Sequence, residues 1–135
     1  MLHTFLTIAA LLVSALLFGG MTLFSFGFAA FLFSATEAAE ARRLIRRVFP
    51  HFYLFVIASA ALGAALAWAS DPVSAVVLAA IALTTLPARQ VLMPAINAAT
   101  DAGNRRRFGL LHGLSVVITL LHIAAAGVVL ARFVL

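Results

Sequence analysis

Few side chains in this sequence can do chemistry, and their spacing narrows which chemistry is open. Among 135 residues there are four histidines, four carboxylates and no cysteine. The lack of cysteine removes thiolate nucleophiles, disulfides and Cys-ligated metals. His112 and His122 lie ten residues apart on one apolar run. On a helix they are about 15 Å apart along the axis and roughly 80° apart around it, so one metal ion cannot take both. Glu37, Glu40, Asp71 and Asp101 all fall between the apolar runs. That argues against a proton-coupled transporter built on a buried carboxylate. There is no Ser-His-acid set, no HExxH and no phosphate-binding glycine loop, so a hydrolase or nucleotide enzyme has no visible machinery. No cofactor is expected. The alternative is a haem- or metal-binding redox membrane protein using His112 or His122.

The elements that must position these groups follow from composition. The chain is 65% hydrophobic and 10% charged, with mean hydropathy +1.19. Soluble domains are about 45–50% apolar and about 25% charged. The solvent for most of the chain is therefore lipid. The net charge of +5 is small but clustered. The arginines sit between apolar spans and not on an exposed polar face, so nucleic acid is a poor partner.

A span needs roughly 20 apolar residues, and four runs qualify, at about 4–33, 49–69, 72–93 and 108–133. The first exceeds a signal-peptide core of about 7–15 residues and reads as an uncleaved helix. Phe24, Phe28 and Phe31 share one stripe of it, as packing or lipid-facing aromatics. The expected fold is all-α: an integral membrane four-helix bundle in one domain, residues 1–135. Between the first two spans, Ser34-Ala-Thr-Glu37 has the form of a capping box. Arg42, Arg43, Arg46 and Arg47 then cover one helical face, and Ala41, Leu44, Ile45, Val48 and Phe49 the other. This predicts a short interfacial amphipathic helix, its basic side toward anionic headgroups.

Pro50 suits the first turn of the second span, with Phe52 and Tyr53 at the interface. Ala60, Gly63, Ala64 and Ala67 form a small-residue face. Asp71-Pro72 is the start signal of the third helix, and so short a link makes an antiparallel hairpin. Pro87 is expected to kink the third span, and Pro94 through Asp101, with Gly103 and Asn104, reads as a helix end and turn. Gly20, Gly63, Gly109, Gly113 and Gly127 are the candidate packing glycines. They leave a face for a second copy or a membrane-protein partner.

Three stretches, taken in order, resemble the transmembrane protein 205-like family of small four-span membrane proteins. They are Phe49-Pro50-His51-Phe52-Tyr53; Arg89 with Met93-Pro94-Ala95-Ile96-Asn97 and Asp101; and Phe108-Gly-Leu-Leu-His112-Gly113-Leu114-Ser115. Gly19-Gly20-Met21-Thr22-Leu23-Phe24-Ser25-Phe26 is similar to that family's first helix. Ala95 departs from the Arg that many relatives carry there. The resemblance implies a four-span protein of largely unassigned activity and suggests transport or trafficking. The functional expectation is a non-enzymatic membrane protein, either an accessory or scaffold subunit or a handler of lipid or small solutes.

Orientation follows from arginine. Four lie between spans one and two, and Arg105, Arg106 and Arg107 lie between spans three and four. None lies between spans two and three. The first and third connections then face the cytoplasm, and both termini face outside the cell inner or plasma membrane. His51, Tyr53, Arg89, Asn97, His112 and Ser115 fall at the cytoplasmic ends of the spans. The expectation is a polar cluster or shallow pocket there, with Arg89 and His112 at its centre. Single cysteines placed at Ser70 and Thr100 should label from opposite sides of intact cells. Equal labelling from outside would refute this orientation.

Overall fold

A computed structural model describes all residues, 1–135. It is all-α. Four helices are each long and apolar enough to cross a membrane: α1 Leu2–Ala35, α2 Ala38–Ala67, α3 Pro72–Asp101 and α4 Arg105–Val134. In lipid no water satisfies backbone groups, so a spanning chain must bond them internally. These helices do so almost end to end. Only 25 of 135 residues are buried, which leaves wide apolar faces that suit lipid and not water.

Two helices widen into π turns, at Leu23–Phe28 in α1 and Ala88–Leu92 in α3. Pro87 stands at the start of the second. An interior proline breaks the i→i−4 ladder, and an i→i+5 turn is one way to absorb the defect. The third span therefore does not stop near Met93. It runs through Pro94 to Asp101, and Gly103, at φ 64°, makes the turn into α4. A non-glycine residue would strain that turn.

The basic stretch is helical, but it is not a separate helix along the membrane surface. It forms the first turns of α2, and Pro50 lies well inside that helix. The Ser34 capping box does not form either. Glu37 is itself the N-cap residue, without a side-chain bond, and Ser34 Oγ donates to Phe31 O at 2.8 Å.

The core shows two kinds of packing. Toward the α2–α3 hairpin turn, contacts are small: Ala10, Ala67 and Ala75 form a buried cluster. A Cβ on Gly63 would stand 3.2 Å from Leu78 Cδ1. Toward the basic end, contacts are aromatic. The Phe24 ring stacks on Phe52 at 4.0 Å and meets Phe49 edge-on at 5.3 Å. Phe52 and Tyr53 are thus buried in the bundle and do not sit at the interface. Phe31, on the same stripe as Phe24 and Phe28, stays exposed.

Gly20 has its hydrogen against the Phe55 ring, where a Cβ would be 2.6 Å away. Gly127 faces Phe18. Gly109 and Gly113 have open space around them, so within this chain that pair packs against nothing.

At the hairpin end, Asp71 caps α3 by accepting from Ser74 N at 3.2 Å. Arg132, near the end of α4, donates to Asp71 from Nε at 3.1 Å and Nη2 at 2.8 Å. First Arg132, then Ser74, hold the Asp71 carboxyl well below the usual carboxylate range. The unfolded value is about 3.9, so this stabilisation is complete above about pH 4 and is lost as acid takes the pH lower. Asp71→Asn should therefore unfold at lower temperature than wild type at neutral pH, with the gap closing as pH falls toward about 3. Thermal melts in mild detergent measure it. A gap of equal size at both pH values would remove the pair from the account.

Candidate functional site

The basic end is built from two helix starts, of α2 and α4, and two helix ends, of α1 and α3. Periodicity places Arg42 and Arg46 on one side of the first turns of α2, one turn apart. At the start of α4, Asn104 Oδ1 accepts from Arg107 N at 3.0 Å. That cap places Arg105, Arg106 and Arg107 in the first turn, which holds no acidic residue. A helix N-terminus already carries a partial positive charge. Three arginines there are therefore unfavourably placed unless an anion lies close.

Between α2, α3 and α4, with Phe33 from α1, is a crevice of about 860 Å³. This falls in the range of ligand sites, about 300–1,000 Å³. Its lining includes the apolar side chains Ile45, Phe49, Met93 and Ile96. It also includes Arg42, Arg43, Arg46, Arg105, Asn97 and His112. The two acids nearby are already engaged. Glu40 accepts from Arg43 at 2.7 Å. Asp101 takes both arms of Arg46, at 3.0 and 2.7 Å, and Arg46 also donates to Asn97 O at 3.1 Å. Arg42 and Arg105 form no ion pair. Inside the crevice, the His112 ring stacks on Phe108 at 5.3 Å, nearly parallel.

The inner limit is Tyr53, whose hydroxyl lies 3.3 Å from Ser115 Oγ. Both residues are buried, and the pair ties α2 to α4. Behind it is a cavity of about 10 Å³, room for about one water. Thr85, Thr119 and His122 contribute to its wall. His122 Nε2 is 2.8 Å from Thr84 Oγ1.

The residues expected to cluster are thus divided. Tyr53, Asn97, His112 and Ser115 meet at the crevice. Arg89 does not join them. Its Nε donates to Pro50 O at 3.3 Å, so Arg89 and His112 are not the shared centre of one pocket. Arg89 and Asn97 both lean on α2 but at different levels: Arg89 meets Pro50, and Asn97 O meets Arg46, one turn nearer the helix start. His51 is also elsewhere. Its Nδ1 lies 3.2 Å from Arg47 O, beside an apolar groove between α1 and α2.

His112 and His122 occupy different sites. No three side chains among His, Asp and Glu gather as a metal site. Sequence reasoning missed the Arg46–Asp101 fork and the Thr84–His122 contact. The former carried a signal, an acid at a helix end facing a basic helix start. The latter carried none, because both residues lie in apolar runs and only the packing of α3 on α4 decides which faces meet.

Residues 12–105 match the model of a family described as Domain of unknown function (DUF4149). The match spans α1 from its middle, α2, α3 and the first residue of α4, so His112 and Ser115 lie beyond it. No curated protein and no solved structure matches the chain.

Because Arg89 and His112 share no bonding partner, their costs should add. Arg89→Ala, His112→Ala and the double variant should agree with additivity within about 0.3–0.5 kcal/mol in unfolding free energy. Coupling above about 1 kcal/mol would mean that the two belong to one network after all.

Proposed function

The chain belongs to the family described as Domain of unknown function (DUF4149), and we propose that it is a non-enzymatic multi-pass membrane protein that holds an amphiphilic ligand at its basic end. The observation that carries this reading is the crevice between α2, α3 and α4, large enough for a ligand and lined by apolar residues and arginines together. The apolar residues suit a hydrocarbon body, because burying it against Ile45, Phe49, Met93 and Ile96 removes apolar surface from water. The polar residues suit a charged or hydrogen-bonding end. Catalysis lacks support in the same groups. The buried hydroxyls of Tyr53 and Ser115 bond to each other, and no base or carboxylate is bonded to either of them to activate a nucleophile.

The arginine distribution supports an orientation in which the crevice opens to the cytoplasmic leaflet and both termini lie outside. The motifs shared with the transmembrane protein 205-like family support a role in lipid or small-solute handling in the cell inner or plasma membrane.

Wild-type protein purified in mild detergent should carry a co-purifying amphiphile at about one per chain, read by native mass spectrometry. Ile96→Trp places an indole in the crevice and should remove that adduct while leaving the unfolding temperature close to wild type. An adduct equally abundant in the variant, or none in either protein, would overturn the reading.

A further inference from the structure

We infer that the polar end of the ligand is a phosphate group, that of an anionic lipid headgroup, and that Arg42 and Arg105 are the residues that hold it. This rests on the crevice reading above and assigns its charged half.

Three observations converge. First, the crevice is lined by four guanidinium groups but only two acids are bonded to them. Arg43 and Arg46 have their carboxylates, while Arg42 and Arg105 have none. A guanidinium at the edge of an apolar cavity keeps its charge and presents a planar fork that matches phosphate oxygens. Second, the two uncommitted arginines come from different helix starts, one on α2 and one on α4. The α4 start combines three arginines with the positive end of a 30-residue helix and no first-turn acid. An anion in the crevice relieves that repulsion.

Third, the crevice is long in the direction of the α2 axis. Tyr53, at its inner limit, is eleven residues beyond Arg42 on the same helix, about 16 Å along the axis. A site for a free anion needs only the charged rim. A site whose lining continues with Phe49, Met93 and Tyr53 beyond that rim fits a headgroup with its acyl chain attached. Asn97, His112 and the Tyr53–Ser115 pair add hydrogen-bonding groups to the same lining.

The competing account is diffuse attraction, in which any arginine near the headgroups counts equally. The chain contains its own control. Arg106 and Arg107 follow Arg105 in the same helical turn but do not line the crevice. Removing them changes the net charge as much as removing Arg42 and Arg105 does.

The experiment compares wild type, Arg42→Gln/Arg105→Gln and Arg106→Gln/Arg107→Gln in mild detergent. Dioleoylphosphatidylglycerol, dioleoylphosphatidylcholine or inorganic phosphate is added, and bound lipid is read by native mass spectrometry. Unfolding temperature is read in parallel. Wild type should retain one phosphatidylglycerol per chain and hold phosphatidylcholine about tenfold less tightly. The Arg42/Arg105 variant should lose phosphatidylglycerol by about tenfold or more, as expected for a charged hydrogen bond. The Arg106/Arg107 variant should stay within about twofold of wild type. Arg42→Lys/Arg105→Lys keeps the charge without the fork and should fall between wild type and the Gln pair. It serves if the Gln pair unfolds without lipid.

Equal losses in the two Gln variants would replace the site with diffuse attraction. Equal retention of both lipids, abolished by Ile96→Trp, would overturn the anionic-headgroup assignment, since phosphatidylcholine carries the same phosphate beside a choline cation, and would leave the amphiphile reading standing. Protection by inorganic phosphate as strong as that by phosphatidylglycerol would make this an anion site without a lipid. Retention of neither lipid would overturn the crevice reading itself.

Discussion

A backbone in hydrocarbon has no water to bond to, and this single constraint orders the rest of the molecule. Each peptide group that misses its helical partner must find another or remain a cost of several kcal/mol. The chain nonetheless places Pro50, Pro87 and Pro94 inside its long helices. It accommodates them without breaking the spans. Pro87 leads into a π turn, and Pro50 stays inside α2, where its carbonyl also accepts from the Arg89 side chain of the neighbouring helix. Arg89, a charged group among apolar residues, thus has a backbone partner.

The same constraint leaves side-chain size to decide how closely the rods approach. Near the hairpin turn, alanines and Gly63 let α1, α2 and α3 come together, and the groove there, of about 490 Å³, has an uncharged, wholly apolar lining. Near the basic end, Phe24, Phe28, Phe49, Phe52 and Tyr53 build an aromatic cluster between α1 and α2. The large crevice is found at this end, on the other side of α2. The two ends also differ electrically. Asp71 and Arg132 neutralise each other at the hairpin end, whereas the basic end has more guanidinium groups than carboxylates. Space and unbalanced charge therefore coincide, and that coincidence gives the crevice its functional interest.

Much of this was legible in residue order, and the boundary of legibility has a physical basis. Whether a segment spans a membrane depends on the transfer free energy of its own residues, a local sum. The four spans, the Asp71-Pro72 start of α3 and the segregation of arginine to two connections are all of this kind. The helix ends were less legible. The basic stretch of α2 and the segment after Pro94 are polar enough to read as connections, but both continue a helix because an unbroken ladder satisfies more backbone groups.

Which polar residues meet is a matter of rotation about each helix axis, and no local sum contains it. From the sequence, Arg89, His112, Tyr53, Asn97 and Ser115 all belonged to the same ends of the spans. Arg89 is bonded to Pro50 on α2, one turn away from the Arg46 that meets Asn97, and only Asn97 reaches the crevice wall. The Tyr53–Ser115 bond joins residues 62 apart in the chain. It exists because aromatic packing turns Tyr53 inward, where the sequence pattern alone had put it at the interface. Hydropathy by itself determined that four helices cross the membrane and where charge collects, because lipid acts on each segment independently. Helix rotation and packing decided which groups share a site, because only the assembled bundle sets the phase of one helix against the next.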